Sequence, residues 1–270
     1  MEKIEKNIIL ESFPCLDIKA SLFCGQAFRW KEKEDGTFHG VVKGRIIDIE
    51  QKDNRIIFRN ICDEETKKLI EEYFDLKRDY KKICEGLSAD QRFKKAYEEY
   101  EGIRILKQDS WEALCSFIIS QNNNIPRIMG IIERFCQAFG EKLNEEDYSF
   151  PSYEKLKGIT AEELAPLRAG FRAKYIADAV ERLNSGEISL EKIAEMPIEQ
   201  ARQELCKIKG VGAKVAECTL LYGFGRMEAF PVDVWVKRIM AEMYPDGLPE
   251  FFKGNEGIAQ QYLFHWRRQQ

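Results

Sequence analysis

The stretch Ile208-Lys209-Gly210-Val211-Gly212-Ala213-Lys214-Val215-Ala216-Glu217-Cys218 decides how this chain is read. Gly210 and Gly212 stop a helix that runs into Cys206, and from Ala213 onward the pattern is helical again. Lys214 therefore falls in the first turn of a new helix, where the helix dipole disfavours a positive charge. Leu205, Ile208, Val211, Val215 and Ala216 frame the turn with apolar side chains, so residues from about 198 to 223 read as a helix-hairpin-helix. The glycines let backbone approach a ligand closely, and the free amides of the second helix suit an anion such as a DNA phosphate. A plain interhelical turn explains a lone Gly-x-Gly. The apolar frame on both sides favours the phosphate-holding hairpin.

Lys214 has two readings. As a surface lysine it is solvated, as most lysines are. Partly desolvated at a helix start, it leans instead towards the neutral amine, which is a nucleophile. The stretch Phe230-Pro231-Val232-Asp233-Val234-Trp235-Val236 shifts the balance. Pro231 stiffens an extended entry, and Asp233 begins a helix as its N-cap, the only role most such aspartates have. A glycine hairpin, a lysine behind it and a Pro-Val-Asp start together point to an amine working beside a carboxylate.

Outward from the hairpin the chain changes period. Residues 27–59 alternate as an antiparallel meander, with strands over 27–33, 37–42, 45–50 and 55–59 and turns at Asp35-Gly36, Lys43-Gly44 and Asp53-Asn54. Helices are expected over 64–74, 78–84, 91–99, 110–120, 126–139, 153–157, 161–166, 172–184, 189–195, 198–207, 213–223, 233–243 and 256–266. Asp109 and Asp233 are expected N-caps. The fold class is α+β. Residues 1–100 form an antiparallel sheet domain with flanking helices, and residues 101–270 a larger all-α body.

The bulk numbers are those of an ordinary soluble protein: 270 residues, 44% hydrophobic and 33% charged. A net charge of −4 hides a gradient, acidic over residues 1–200 and slightly basic beyond, so a basic face for nucleic acid remains open. Cys15, Cys24, Cys62, Cys84, Cys115, Cys136, Cys206 and Cys218 include no C-x-x-C pair, and Met1-Glu2-Lys3 opens no secretory leader. They read as reduced thiols in an intracellular monomer, in the cytoplasm or nucleoid if the source is bacterial. His39 and His265 are the only histidines, which excludes a histidine-rich metal site. No apolar run approaches a membrane span.

With these motifs in place, the chain resembles the helix-hairpin-helix DNA glycosylases, and within them the bifunctional 8-oxoguanine DNA glycosylase/AP lyases. The resemblance runs from Gly25-Gln26-Ala27-Phe28-Arg29-Trp30 through Ser120-Gln121-Asn122-Asn123-Asn124-Ile125-Pro126-Arg127 and the hairpin to Ala259-Gln260-Gln261-Tyr262-Leu263-Phe264. It implies that Lys214 attacks C1′ of the damaged nucleoside and forms a Schiff base. Asp233 would stabilise the charge developing on the sugar, and β-elimination would cut the strand 3′ to the lesion. The expected partner is double-stranded DNA carrying 8-oxoguanine opposite cytosine.

The same resemblance assigns a base pocket. Phe264 and Cys218 would sandwich the extruded base, Gln260 would bond its Watson–Crick edge, and the Gly25 carbonyl would accept the N7–H that guanine lacks. Without the family, Phe264 and Cys218 read as core and Gly25 as a turn. Asn122 would fill the gap left by the base, with Arg127 and Arg172 bonding the orphaned cytosine and Phe171 wedging the stack. Taken alone, Gln121 to Asn124 are a polar turn and the arginines solvated helix starts. Phe171 stands where eukaryotic members have tyrosine, and Trp235 where they have a phosphate-contacting histidine. Only six residues follow Phe264, which leaves a short closing tail at most.

No cofactor is expected. No cysteine follows Asp233, so the iron–sulfur cluster of some relatives has no ligands. The carbonyls of Cys206, Ile208 and Val211 are candidates for a monovalent cation. Two alternatives stay open: a helix-hairpin-helix glycosylase for another lesion, and a non-enzymatic DNA-binding protein that uses the hairpin as a clamp.

Overall fold

The alternation of β-branched and aromatic residues near the N-terminus closes into a five-stranded antiparallel sheet in the order β1-β5-β4-β3-β2. Its strands are β1 Ile8–Glu11, β2 Trp30–Glu32, β3 Phe38–Val42, β4 Arg45–Lys52 and β5 Arg55–Arg59. The structure is a computed structural model and describes residues 8–11, 15–52, 55–59, 61 and 63–270. The expected turn at Asp53-Asn54, Cys62 and the Met1-Glu2-Lys3 start lie outside the described residues.

Ile49 pairs with Phe38 on one side and Phe58 on the other, and Ile47 pairs with Gly40. These side chains, with Trp30, are buried against Ile18 and Leu22 of α1 (Ile18–Phe23) and Ile70 of α2 (Glu64–Tyr73). Gly40 has a steric reason: a Cβ there would lie 2.5 Å from the Trp30 ring. The indole is in turn held by a 2.8 Å hydrogen bond to the Tyr73 hydroxyl.

The helical body comprises α3 Tyr80–Leu87, α4 Gln91–Glu99, α5 Ser110–Ser120, α6 Ile125–Phe139, α7 Arg172–Asn184, α8 Leu190–Glu195, α9 Ile198–Leu205, α10 Ala213–Phe224, α11 Val234–Met243 and α12 Glu256–Gln269. Tyr80, Cys84, Leu87 and Phe93 belong to this body's core, whereas Leu106 belongs to the core under the sheet. Asp109 and Asp233 cap α5 and α11 as expected, the latter accepting from the Val236 amide at 2.8 Å.

Two features lie beyond the sequence reading. β1 joins the sheet by pairing with β5 across some fifty residues of chain, and α1 forms behind the Asp17 cap. Two expected helices do not form. Residues 153–157 and 161–166 run as tight turns closed by bonds such as Leu156 N–H to the Tyr153 carbonyl, with one short 3-10 turn at Ala165–Leu167. Gly158, in the left-handed region at φ 79°, and Pro166, which lacks an amide hydrogen, keep either segment from lengthening.

The sheet is tied to the helices at buried polar points. Arg29 pairs with Glu112 at 3.4 Å and donates to the Tyr148 carbonyl at 2.5 Å. Gln26, fully buried, donates to the Arg104 carbonyl at 2.7 Å and accepts from the Leu106 amide at 2.9 Å. That clamp fixes the turn at Gly25 against the helical body.

Candidate active site

Helices α5 and α10 cross antiparallel at the centre of the body. Their approach is close because Gly223 lies where a Cβ would come within 3.0 Å of the Ser110 backbone. The end of α5 thereby faces the start of α10, and Lys214 reaches across. Its Nζ donates to Ser120 Oγ at 3.2 Å and lies 5.1 Å from the Phe117 ring centroid. The Ser120 hydroxyl itself donates to the Phe117 carbonyl at 2.8 Å, so towards the lysine it is an acceptor.

Cys218 follows one turn along α10 and is buried. Burial pushes its thiol up to about 11, with the Lys214 amine pulling the other way. Asp233 arrives by a different route, on the loop 230–233. Glu217 anchors that loop: one carboxylate oxygen accepts the Phe230 amide at 2.7 Å, and the other pairs with Arg202.

One cavity collects these groups. Gly25, Phe117, Lys214, Cys218, Tyr222, Pro231, Asp233, Gln260 and Phe264 line it. Six of them are the residues assigned to chemistry and base binding from the sequence, brought in from four separate regions of the chain. It is a small cleft, with about 50 Å³ open to the centres of water molecules. Gln260 is buried, and its Oε1 has no hydrogen-bond partner. No protein donor claims this atom, so it is available to a donor that enters the cavity.

The hairpin is built for an anion. Gly210 adopts φ 79°, and a Cβ there would sit 2.2 Å from the Tyr175 ring, so both backbone and packing demand glycine. Gly212 is different. It is the N-cap of α10 with extended backbone, and a Cβ would meet nothing within 4 Å. No side chain caps α10, which leaves its first amides to an outside acceptor. The framing residues Leu205, Ile208, Val211, Val215 and Ala216 are all buried. The Ile208 carbonyl accepts the Val211 amide at 3.0 Å and keeps a second lone pair.

The residues expected to face the opposite strand form a second group beside the cavity. Asn122 is exposed in the left-handed region at φ 47°, Arg127 is exposed in the first turn of α6, and Phe171 is 51% exposed. Arg172 is 2% exposed, and its guanidinium serves the protein itself. It donates to the carbonyls of Gln121 and Asn122, the latter at 2.9 Å, and of Ala169 at 3.1 Å, and it lies over the Phe171 ring. In this arrangement Arg172 shapes the turn that presents Asn122.

Sequence reasoning missed Ser120, Phe117 and Glu217. Ser120 begins the polar run before α6, but its role appears only when α10 is packed against α5. Glu217 did carry a signal: a carboxylate in an otherwise apolar helix, one turn after Lys214. A larger cavity of about 360 Å³ between the sheet and α6 includes Arg29, His39 and Asp147. Their polar groups are paired with Glu112 and Asp48 or with one another. Its one amine, Lys31, is exposed and pairs with Glu133 at 2.6 Å. Among the described residues no helix is long and apolar enough to cross a membrane.

Comparison with known proteins gives matches along most of the chain. Residues 8–114 match the 8-oxoguanine DNA glycosylase N-terminal domain, and residues 115–247 match the HhH-GPD superfamily of base excision DNA repair proteins. The chain is 30% identical to the N-glycosylase/DNA lyase OGG1 of Arabidopsis thaliana, over 82% of its own length and 65% of the plant protein's. It is also 30% identical to a probable N-glycosylase/DNA lyase of Methanothermobacter thermautotrophicus, over 88% of each chain. Among solved structures, MBOgg1 with a low-affinity DNA ligand superposes with a TM-score of 0.92 at 40% identity, covering 100% of this chain and 99% of that one. The Clostridium acetobutylicum 8-oxoguanine glycosylase/lyase, bound to double-stranded DNA with cytosine opposite 8-oxoguanine, superposes with a TM-score of 0.91 at 38% identity, covering 98% and 97%.

Proposed function

The chain belongs to the 8-oxoguanine DNA glycosylase family within the HhH-GPD superfamily, and on that footing we propose that it excises 8-oxoguanine from duplex DNA and then cuts the strand. One observation carries the proposal: Lys214 and Asp233 line the same small cavity as Gln260, whose buried Oε1 lacks a donor.

The chemistry follows from those positions. The damaged nucleotide leaves the duplex, and its base enters between Cys218 and Phe264, with N–H groups available to Gln260 Oε1 and the Gly25 carbonyl. Lys214 Nζ attacks C1′ as the bond to the base breaks, and the Asp233 carboxylate stabilises the positive charge that appears on the sugar. Loss of a proton from nitrogen and opening of the ring give the imine. The imine acidifies C2′–H, so removal of that proton expels the 3′ phosphate, and water then releases Lys214. An amine is needed for this second half, because water as nucleophile would stop at base release.

The hairpin amides and Gly212 hold a backbone phosphate, and the carbonyls of Cys206, Ile208 and Val211 supply the oxygen donors that a hard monovalent cation takes. Asn122, Phe171 and Arg127 fill and flank the vacated site opposite cytosine, with Arg172 bracing the turn. In this reading residues 1–100 carry the Gly25 wall and residues 101–270 the reacting groups. The protein acts as a monomer inside the cell, where its substrate is. An 8-oxoguanine:cytosine duplex labelled at the 5′ end tests the proposal. Cleavage without heat or alkali supports it; cleavage that needs alkali removes the lyase half, and an intact strand after alkali removes both.

A further inference from the structure

We infer that Arg268 is a specificity-determining residue, whose guanidinium closes over the extruded base and donates to a carbonyl oxygen on the purine edge. The inference rests on the glycosylase reading above. Arg268 sits one turn beyond Phe264 on α12, and its guanidinium carbon lies 5.2 Å from the Phe264 ring centroid. It also covers Gly25: a Cβ built there would be 3.2 Å from Arg268 Nη1 and 3.7 Å from the Phe264 ring. Gly25 and Phe264 are both cavity walls, so the guanidinium lies at the rim of the space that must take the base.

Arg268 makes no ion pair among the described residues, whereas its neighbour Arg267 pairs with Glu242 at 2.7 Å. A stacked guanidinium at a pocket rim with its donors unclaimed is a recognition group in waiting. Arg268, packed on the Phe264 ring, is within reach of a base held against that ring. Guanine offers one carbonyl oxygen at its edge, O6. 8-Oxoguanine offers a second, O8, in place of a C–H, and a cationic donor rewards that oxygen.

The test compares Arg268→Ala and Arg268→Lys with the unaltered protein on two duplexes, one with 8-oxoguanine and one with a preformed abasic site, both opposite cytosine. The abasic duplex needs Lys214 and the phosphate contacts but presents no base. Expected for Arg268→Ala is a loss of about tenfold or more in single-turnover excision, the usual consequence of losing a hydrogen bond to a charged donor. Abasic cleavage should stay within about twofold of the unaltered protein, and Arg268→Lys, which keeps a charge, should recover part of the excision. Unchanged excision overturns the inference. An equal fall on both duplexes also overturns it, because it assigns Arg268 to the DNA backbone. An unaltered protein inactive on both duplexes refutes the enzyme reading itself and this inference with it.

Discussion

Lys214 Nζ lies 3.2 Å from the Oγ of Ser120, a hydroxyl whose own proton is directed at the Phe117 carbonyl. The contact fixes the amine from one side, the Phe117 ring shields a second, and the cavity with Asp233 takes the rest. Ser120 is thus a positioning residue. Ser120→Ala should slow both base excision and strand cutting by about tenfold, corresponding to the loss of one positioning hydrogen bond of about 1.5 kcal/mol. Duplex affinity should not change, and Ser120→Thr should restore the rate. Gel-based single-turnover kinetics beside a binding titration separates this from general damage, which would lower both.

Glu217 holds the loop that carries Asp233. Truncation to alanine leaves Arg202 with only the exposed Glu199 as its carboxylate partner and the Phe230 amide without an acceptor. Leaving the Phe230 amide without its acceptor costs about 1–3 kcal/mol, visible as a lower denaturant midpoint. Excision should fall further than unfolding explains, because Asp233 loses its fixed distance from the sugar. A variant with full activity under folding conditions would show that the loop holds its place unaided.

The two hairpin glycines should part company. Gly210→Ala must adopt φ 79° and strike the Tyr175 ring, so a stability loss of more than about 1 kcal/mol is expected. Gly212→Ala meets nothing, so its melting temperature should hold while the added methyl obstructs phosphate. Duplex affinity should drop for undamaged and damaged DNA alike. Calorimetry paired with fluorescence anisotropy reads both effects. Equal stability losses at the two positions would contradict the assignment.

Cys218 sits in the cavity wall as a neutral thiol. Burial, opposed by the Lys214 charge, holds it at about 11. Thiolate therefore forms only as the pH approaches that value, and alkylation of the Cys218 peptide by iodoacetamide should be slow at neutral pH and climb steeply above about pH 9. Peptide mass spectrometry resolves it from the exposed Cys206. Fast modification near pH 7 would mean an ionised thiol beside Lys214 and a different electrostatic balance.

What could be read in the sequence was local. The hairpin announced itself because the glycines, their apolar frame and Lys214 lie within the twelve residues from Leu205 to Ala216, and the α11 cap because Asp233 directly follows Pro231-Val232. What could not be read depends on partners far along the chain. β1 is a strand because β5 is available to it, and Gly25 is a cavity wall because Gln26 is bonded to residues 104 and 106. The two failed helices show the converse. Their apolar spacing is helical, yet Gly158 and Pro166 decide otherwise at short range. Arg172 looked like a solvated helix start and is almost wholly buried, since its partners are backbone carbonyls, which leave no mark in a sequence.

The central claim is that a single amine captures the sugar. Incubating the protein with an 8-oxoguanine:cytosine duplex and borohydride should yield one covalent protein–DNA species, and digestion should place the DNA on the peptide that contains Lys214. Lys214→Gln should bind the duplex and give no adduct. An adduct that persists in that variant, or one mapped to another lysine, would contradict the account.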